Sequence, residues 1–293
     1  MKKIFPQPSL LFALLLFLSN CSLFEEEEVI PVDPVEIDET KGSEHLLLGN
    51  PSEAEAIEIL ANNYLSEKPQ FALSYNDSRG IPNWVSWHLS SRWLGSTSRT
   101  DDFLPDFDLP FANNRIDRRD YSGSGFDRGH NCPSADRTSS RKDNAVTFLM
   151  SNVIPQAPEH NQKMWNEMEI FTRDQVRRNG NEVYVIMGNY GEGGEGRFGM
   201  EKRIGDDKQV AVPKYIWKVV VIIGEGDDDL SRIDERTRVI AVLTENLNRD
   251  VKEWHEYRVS VDAIEKETGL DLLSEVPEEI QAVIEAKVDN GPF

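Results

Sequence analysis

A histidine and an asparagine, 31 positions apart, carry most of the chemistry in this chain. His130 ends the run Asp127-Arg128-Gly129-His130, and Asn161 begins Asn161-Gln162. An imidazole of near-neutral pKa can take a proton from water, whereas an amide oxygen is a neutral ligand for a hard cation. Hydrolysis of a phosphate ester needs both a base and a metal that carries developing charge. The pair therefore indicates an enzyme that cuts phosphodiesters.

A predicted helix carries the asparagine together with three other residues. They follow each other at intervals of four and form one slanted stripe: Asn161, Trp165, Glu169 and Arg173. Glu169 is a candidate catalytic residue because it can hold metal-bound water, and Trp165 is predicted to pack in the core. Each assignment has an alternative. Asn161 would only cap the helix. Glu169 and Arg173 would only form an exposed ion pair worth ~0.3–0.5 kcal/mol.

Strand signals dominate the middle of the chain. Runs rich in β-branched and aromatic residues predict strands at 71–75, 85–89, 182–187, 215–222 and 238–243. The run 85–89 alternates apolar and polar residues, which predicts only one buried face.

Helical signals are fewer and irregularly spaced. They predict helices from about Ala54, from His160 to about Arg178 before Gly180, from a capping box at Asp262 to Gly269, and from Glu278 to about Lys287 after Pro277. The mixture predicts an α+β fold with a central, mainly antiparallel sheet flanked by helices.

Residues 1–20 are predicted to be a bacterial lipoprotein signal peptide. Lys2 and Lys3 precede the apolar run 10–18, which is shorter than the ~20 residues that span a membrane. Cys21 follows as the expected lipidation site, so acyl chains would hold an exported protein on a membrane. The alternative is a plain signal peptide that is cut nearby.

The acidic balance bears on both domain organisation and partners. Residues 21–45 are acidic and proline-punctuated, which predicts a disordered tether before one domain over 46–293. The formal net charge of −20 argues against a basic surface for nucleic acid, although 85–145 hold nine bases against nine acids. Binding of nucleic acid is therefore expected to be weak. Cys132 is the only other cysteine, so no internal disulfide is expected.

Several segments between about 62 and 275 resemble the DNA/RNA non-specific endonuclease family, the sugar-non-specific nucleases of Serratia and cyanobacterial type. The resemblance is carried by YL at 64–65, FALSYN at 71–76, GIPNWVSWHL at 80–89, YSGSGFDRGH at 121–130 and PSADR at 133–137. It implies a ββα-metal (His-Me finger) active site in an enzyme that cuts DNA and RNA internally, without sequence preference, and leaves 5′-phosphate ends.

The resemblance also implies roles for individual residues. His130 matches the general base, and Asn161 matches the only protein ligand of Mg²⁺, for which Mn²⁺ can substitute. Arg99 matches a phosphate-contacting arginine and Arg173 an arginine near the leaving phosphate. Arg128 is expected mainly to support the turn of its motif and to contribute to substrate binding.

Other interpretations of these residues remain open. His130 would be a buried, hydrogen-bonded histidine, Arg99 a solvated loop residue, or His130 and Cys132 part of a zinc site. The glycine-rich stretch 188–196 is predicted to be a hairpin loop rather than a phosphate cradle. The remaining histidines, namely His45, His88, His160 and His255, are predicted to be structural.

Two other functions remain possible. One is a surface lipoprotein that binds nucleic acid or a protein without cutting, and the other is a phosphodiesterase for small nucleotides. An inhibitor protein is a possible partner whose existence the sequence does not address.

Overall fold

One antiparallel sheet of seven strands organises the fold. The computed structural model describes residue 1 and residues 43–111 and 115–293. The predicted signal peptide beyond residue 1, Cys21 and most of the predicted tether lie outside the described residues. Across the sheet the strands are, in spatial order, β1 (Tyr64–Lys68), β2 (Phe71–Asn76), β3 (Ile81–Leu89), β6 (Asn181–Tyr190), β11 (Tyr215–Gly224), β12 (Arg238–Glu245) and β13 (Arg258–Val259).

Smaller elements surround this sheet. Three strand pairs are β4 (Asp127–His130) with β5 (Val153–Gln156), β7 (Gly194–Gly196) with β8 (Gly199–Glu201), and β9 (Arg203–Ile204) with β10 (Val210–Ala211). The α-helices are α1 (Arg141–Val146), α2 (Asn166–Asn179), α3 (Val261–Thr268) and α4 (Glu278–Ile284). A π-helical turn, His160–Trp165, runs directly into α2. Short 3₁₀ turns cover Glu44–Leu46, Glu58–Leu60, Ser91–Trp93, Arg118–Tyr121, Ser134–Asp136, Met150–Asn152, Asp229–Arg232 and Trp254–Tyr257.

The predicted α+β class is confirmed. All neighbouring strands of the large sheet pair antiparallel, and helices are few. The five predicted strands form, each with longer bounds than the sequence pattern indicated. Gly180 and Gly269 end α2 and α3 in the left-handed conformation, with φ of 67° and 72°, where glycine avoids a Cβ clash. Within the described ranges no helix is long and apolar enough to cross a bilayer.

The prediction of a strand with one buried face at 85–89 is wrong. Val85 and Trp87 pack into the core shared with α2, and Ser86 and His88 on the other side are buried as well. The Ser86 hydroxyl donates to the carbonyl oxygen of His45 (2.5 Å). The segment around residue 45 and the helices α3 and α4 cover this second face, so polar residues there are held by hydrogen bonds rather than by water.

Three helix boundaries also differ from the sequence patterns. The apolar spacing from about Ala54 yields one 3₁₀ turn and then β1, because the strand pairs with β2. Ser260, and not Asp262, caps α3 by accepting from the Ala263 N–H. In α4, Pro277 is the N-cap residue, and the helix ends at Ile284 rather than near 287.

Gly188 lies where two tryptophans meet across the central strands. It is opposite Trp84 on β3 and Trp217 on β11, and both indoles are fully buried. A Cβ placed on Gly188 would lie 2.3 Å from Trp217 Cζ2 and 2.8 Å from the Asn83 carbonyl oxygen. Because Gly188 has no side chain, the Trp217 ring can pack against its backbone in the core.

We expect Gly188→Ala to lower the free energy of unfolding by about 1–3 kcal/mol, because the added methyl overpacks a region that cannot yield. Urea denaturation followed by circular dichroism measures the change. Gly224→Ala is the matched control at the end of β11, since a Cβ added to Gly224 would have no atom within 4 Å beyond its own chain neighbours. Equal midpoints for the two variants would contradict the packing argument.

Candidate functional site

The motif around His130 forms a strand pair followed by a helix. In β4, Asp127 is the first residue and His130 the last, and His130 is paired with Val153 on β5. The chain then enters the π turn and α2, which completes a ββα arrangement. Gly129 allows the two strands to approach, because a Cβ there would lie 2.2 Å from Gln156 Oε1 and 2.6 Å from Gln156 Cβ. Only glycine fits this position of the motif.

Gln156 ties this strand pair to the start of the helix and to the large sheet. Its amide nitrogen is 2.8 Å from His160 Nδ1, and His160 Nε2 is 2.6 Å from the Thr244 hydroxyl on β12. His160 is fully buried, and burial lowers its pKa to about 3, so it stays neutral. The structure thus gives His160 the structural role that the sequence predicted.

His130 is buried between two phenylalanine rings. The centroids of the Phe103 and Phe148 rings lie 5.3 and 4.9 Å from the imidazole, of which only 8 % is exposed. His130 Nε2 is buried and has no hydrogen-bond partner among the described residues. Burial, with the nearby charges of Arg99 and Arg128, lowers the pKa of His130 to about 3. The imidazole is therefore neutral at pH 7, and its Nε2 is unengaged, unlike that of a hydrogen-bonded structural histidine.

Two arginines stack on the rings that enclose His130. The Arg99 guanidinium carbon lies 4.8 Å from the Phe148 ring centroid, and that of Arg128 lies 4.4 Å from the Phe103 centroid. Arg99 also donates to the Ser134 hydroxyl (3.1 Å) and to Asp101 (3.2 Å). Arg99 is thus a half-exposed loop residue whose guanidinium is held by these contacts.

A polar cleft of about 480 Å³ opens next to these groups. Its wall includes Arg99, Phe103, Arg118, Tyr121, Phe126, Asp127, Arg128, Asn161 and Gln162. The structure thus brings Arg99, Arg128 and Asn161 together on one surface, whereas His130, Glu169 and Arg173 do not line it. His130 is nevertheless in direct ring contact with Phe103, which does.

Asp127 fixes the orientation of Asn161. Its Oδ2 accepts from Asn161 Nδ2 (2.9 Å) and from Gln162 Nε2 (2.7 Å). With the amide nitrogen so engaged, Asn161 Oδ1 has no donor in the described part of the chain and is available to a ligand. Asn161 does not cap the helix, because the chain is already helical from Pro158 and the Asn161 N–H donates to the Ala157 carbonyl (2.8 Å). The Asn161 amide oxygen, next to the Asp127 carboxylate, is the kind of oxygen ligand that a hard divalent cation prefers.

Glu169, which is partly buried, and the buried Arg173 belong to a group of four charges. Arg173 Nη1 donates to Asp136 Oδ1 (2.9 Å) and lies 3.8 Å from Glu169 Oε2. Burial raises the pKa of Glu169, against the opposing charges of Lys218 and Arg173. Lys218, on β11, is fully buried, and burial lowers its pKa. The alternative of an exposed ion pair on the helix surface is therefore wrong.

Sequence reasoning missed Asp136 and Lys218. Asp136 accepts from Arg173 and from the Trp87 indole N–H (3.0 Å), so it connects α2 to the sheet. Lys218 lies 4.5 Å from the Trp165 ring centroid, within an otherwise apolar strand. A lysine in the middle of the run YIWKVVVI was the available signal, because a buried ammonium requires nearby carboxylates.

A zinc site at His130 and Cys132 receives no support. Cys132 is buried, and its surroundings offer no third ligand among the described residues. Ligand-like spacing occurs in two other groups: His88 with Glu182 and Asp229, and Asp262 with Glu265 and Glu285. None of these six residues lines the cleft.

Comparison with known proteins settles the family. Residues 49–279 match the family described as DNA/RNA non-specific endonuclease. The chain belongs to this family. A nuclease from Nostoc sp. is 47 % identical over 85 % of this chain and 87 % of its own length. The resemblance predicted from the motifs is thus confirmed, and the chain is a DNA/RNA nuclease, a hydrolase of phosphodiester bonds.

More distant members of the family are mitochondrial. Endonuclease G from Homo sapiens is 32 % identical over 70 % of this chain and 68 % of its own length. Nuclease EXOG from Xenopus laevis is 32 % identical over 84 % of this chain, which spans 64 % of that protein. A solved complex of EndoG with EndoGI has the same fold as this endonuclease, with a TM-score of 0.65, 24 % identity, and coverage of 83 % of this chain and 96 % of that one. The family is metal-dependent.

We expect Asp136→Ala to lower the free energy of unfolding by about 3–5 kcal/mol, because Arg173 would remain buried without its carboxylate. Guanidinium denaturation of both proteins measures the loss. Asp174→Ala is the control on the same helix, since Asp174 pairs with Arg178 at the surface, where such a pair is worth only ~0.3–0.5 kcal/mol. A loss at Asp136 no larger than that at Asp174 would refute the buried-pair account.

Proposed function

We propose that this endonuclease hydrolyses phosphodiesters within DNA and RNA with His130 as general base and one Mg²⁺ held at Asn161. The observation that carries the proposal is the arrangement along β4. Its first residue, Asp127, orients the Asn161 amide, and its last residue, His130, presents a neutral imidazole whose Nε2 has no partner among the described residues. One short strand thus ties the metal-ligand candidate to the base.

In this mechanism His130, whose neutral form prevails at pH 7, takes a proton from the attacking water. Arg99 and Arg128 place positive charge beside the phosphate and stabilise the charge that develops on its oxygens. Mg²⁺, or Mn²⁺ in its place, would supply charge neutralisation at the phosphate and help the 3′ oxygen to leave, which yields 5′-phosphate ends.

Glu169 and Arg173 have supporting roles in this proposal. The partly buried carboxylate of Glu169 would orient water near Asn161, and Arg173 would hold Glu169 while remaining anchored on Asp136. Arg173 is assigned a contact near the leaving phosphate by its match to the family, although its side chain is only 7 % exposed here.

The charge pattern of the cleft supports nucleic acid as substrate despite the net charge of −20. Arg118 and Arg128 line this cleft, are exposed, and have no carboxylate within 4.0 Å in the described part of the chain. By contrast, their neighbour Arg119 is neutralised by Asp117. Unpaired guanidinium groups at one cleft attract phosphates, and contacts to the backbone rather than to bases are indifferent to sequence.

An exposed aromatic ring at the edge of the cleft provides a contact for bases. The Arg197 N–H donates to the Gly125 carbonyl (2.9 Å), which places the turn between β7 and β8 against the segment that leads into Phe126. Phe198 in this turn is 79 % exposed, and a Cβ on Gly125 would lie 2.9 Å from Phe198 Cδ2. Any unstacked base can stack on such a ring, so it adds affinity without reading sequence.

Export and lipid anchoring through Cys21 remain predictions from the N-terminal sequence. A non-cutting lipoprotein that binds nucleic acid or protein remains the alternative to the catalytic proposal, and a phosphodiesterase for small nucleotides is another. The EndoG–EndoGI complex concerns inhibition of EndoG, and it motivates a search for an inhibitor protein of this nuclease as well.

We expect His130→Ala to reduce plasmid cleavage by about 10²- to 10⁴-fold, because the general base is lost. EDTA should abolish cleavage by the unmodified protein, and added Mg²⁺ should restore it. His255→Ala is the matched control, since His255 stacks on Phe293 and does not line the cleft.

Near-normal turnover in His130→Ala would refute the base assignment. No cleavage by the unmodified protein with Mg²⁺ would favour the binding alternative, and hydrolysis restricted to mononucleotide diesters would favour the small-nucleotide enzyme.

We expect Phe198→Ala to raise KM for single-stranded DNA by about 5- to 150-fold, since base stacking on an aromatic ring is worth ~1–3 kcal/mol. The value of kcat should change by less than about twofold, and hydrolysis of a small chromogenic diester, which has no base to stack, should be unaffected. Phe198→Tyr keeps the ring and should restore KM. An unchanged KM in Phe198→Ala would show that bases of the substrate do not stack on Phe198.

A further inference from the structure

Three carboxylates converge where α3 meets the end of α4. Asp262 and Glu265 are on α3, and Glu285 directly follows α4. One carboxylate oxygen from each lies within 4.8 Å of the other two. The Asp262 N–H donates to the Glu285 carbonyl (3.3 Å), and Ile264 and Ile284 are buried in the same apolar cluster. The acidic groups are therefore held close together by the packing of the two helices.

No basic side chain compensates this cluster. Within the described residues none of the three carboxylates has a lysine, arginine or histidine nitrogen within 4.0 Å, and Asp271 adds a further negative charge nearby. Glu285 is only 6 % exposed, and its Oε1 is buried without a hydrogen-bond donor. Burial, and then the charges of Glu265, Asp262 and Asp271, raise the pKa of Glu285 to about 7. Such a carboxylate needs either a proton or a cation.

The other group with ligand-like spacing already has its cation. Arg232 Nη2 donates to both Glu182 (2.5 Å) and Asp229 (2.7 Å), and His88 Nε2 lies 2.8 Å from Glu182. The Tyr184 hydroxyl donates to Asp229 as well. A metal ion would have to displace a guanidinium from these carboxylates. The two groups are alike in spacing, and only the one at α3 and α4 lacks a positive charge.

We propose that Asp262, Glu265 and Glu285 bind one calcium ion, which fastens the end of α4 to α3. Calcium accepts six to eight oxygen ligands in flexible geometry, whereas Mg²⁺ demands a near-ideal octahedron and keeps several waters. Three carboxylates that approach from two helices, with water for the remaining positions, suit the larger ion. Glu265 keeps one oxygen on the Leu272 N–H (2.8 Å), which holds its side chain in place for the metal.

The test uses the Asn161→Ala protein, so that binding at the proposed catalytic metal site does not contribute. After EDTA treatment and dialysis, calcium chloride at millimolar concentration should raise Tm by about 3 °C near pH 8, as measured by calorimetry. The rise should be much smaller near pH 5. A raised pKa in the folded state means that the stability from protonated Glu285 is complete below pH ~4.5 and is lost as pH rises through about 7, so only deprotonated Glu285 gains from calcium.

Glu285→Gln, in the same background, should abolish the calcium effect, while its Tm without calcium near pH 8 should equal or exceed that of the parent because a buried charge is removed. Glu279→Gln on the exposed side of α4 should keep the full calcium response. Calcium binding is overturned if Asn161→Ala shows no response, which would mean that protons alone neutralise the cluster. It is equally overturned if Glu285→Gln retains the response.

Discussion

The close approach of β4 and β5 at Gly129 is the constraint on which the site depends. Because Gln156 fills the space that a side chain on Gly129 would need, its amide can reach His160 and, through it, Thr244 on the large sheet. The same approach sets the position of His130 at the end of β4. A substitution as small as a methyl group would therefore disturb the strand pair, the start of the helix and their link to the sheet together.

Buried charge is the second organising principle of the molecule. Asp136, Glu169, Arg173 and Lys218 contribute two charges of each sign, so their group is balanced without solvent. Desolvation of an unpaired charge costs several kcal/mol, and attraction between the opposite charges of this group offsets that cost. The carboxylates around Glu285 lack such a balance, which is why the structure points to a cation there.

The sequence predicted those features that local pattern or residue type determines. The central strands followed from their β-branched runs, and the ββα site followed from the resemblance of the segments around His130 to the endonuclease family. Contacts between residues far apart in the chain could not be predicted from the sequence. The contact of Asp136 with Arg173, for example, depends on how α2 packs on the sheet. The stripe drawn from Asn161 assumed an α-helix, but the π turn adds about one residue to the first turn and changes the direction of Asn161 relative to α2.

The net charge of −20 is compatible with a nuclease because electrostatic repulsion acts only over a limited distance in salt solution. Repulsion between the whole protein and a nucleic acid acts over distance and is screened beyond ~8 Å at physiological ionic strength. The proposed contacts of phosphates with Arg118 and Arg128 would act at close range, where screening is weak. On this proposal a substrate would be held only when a strand lies in the cleft, and it would be repelled elsewhere on the surface. For an enzyme that makes many cuts, such local attraction favours release of the products over retention.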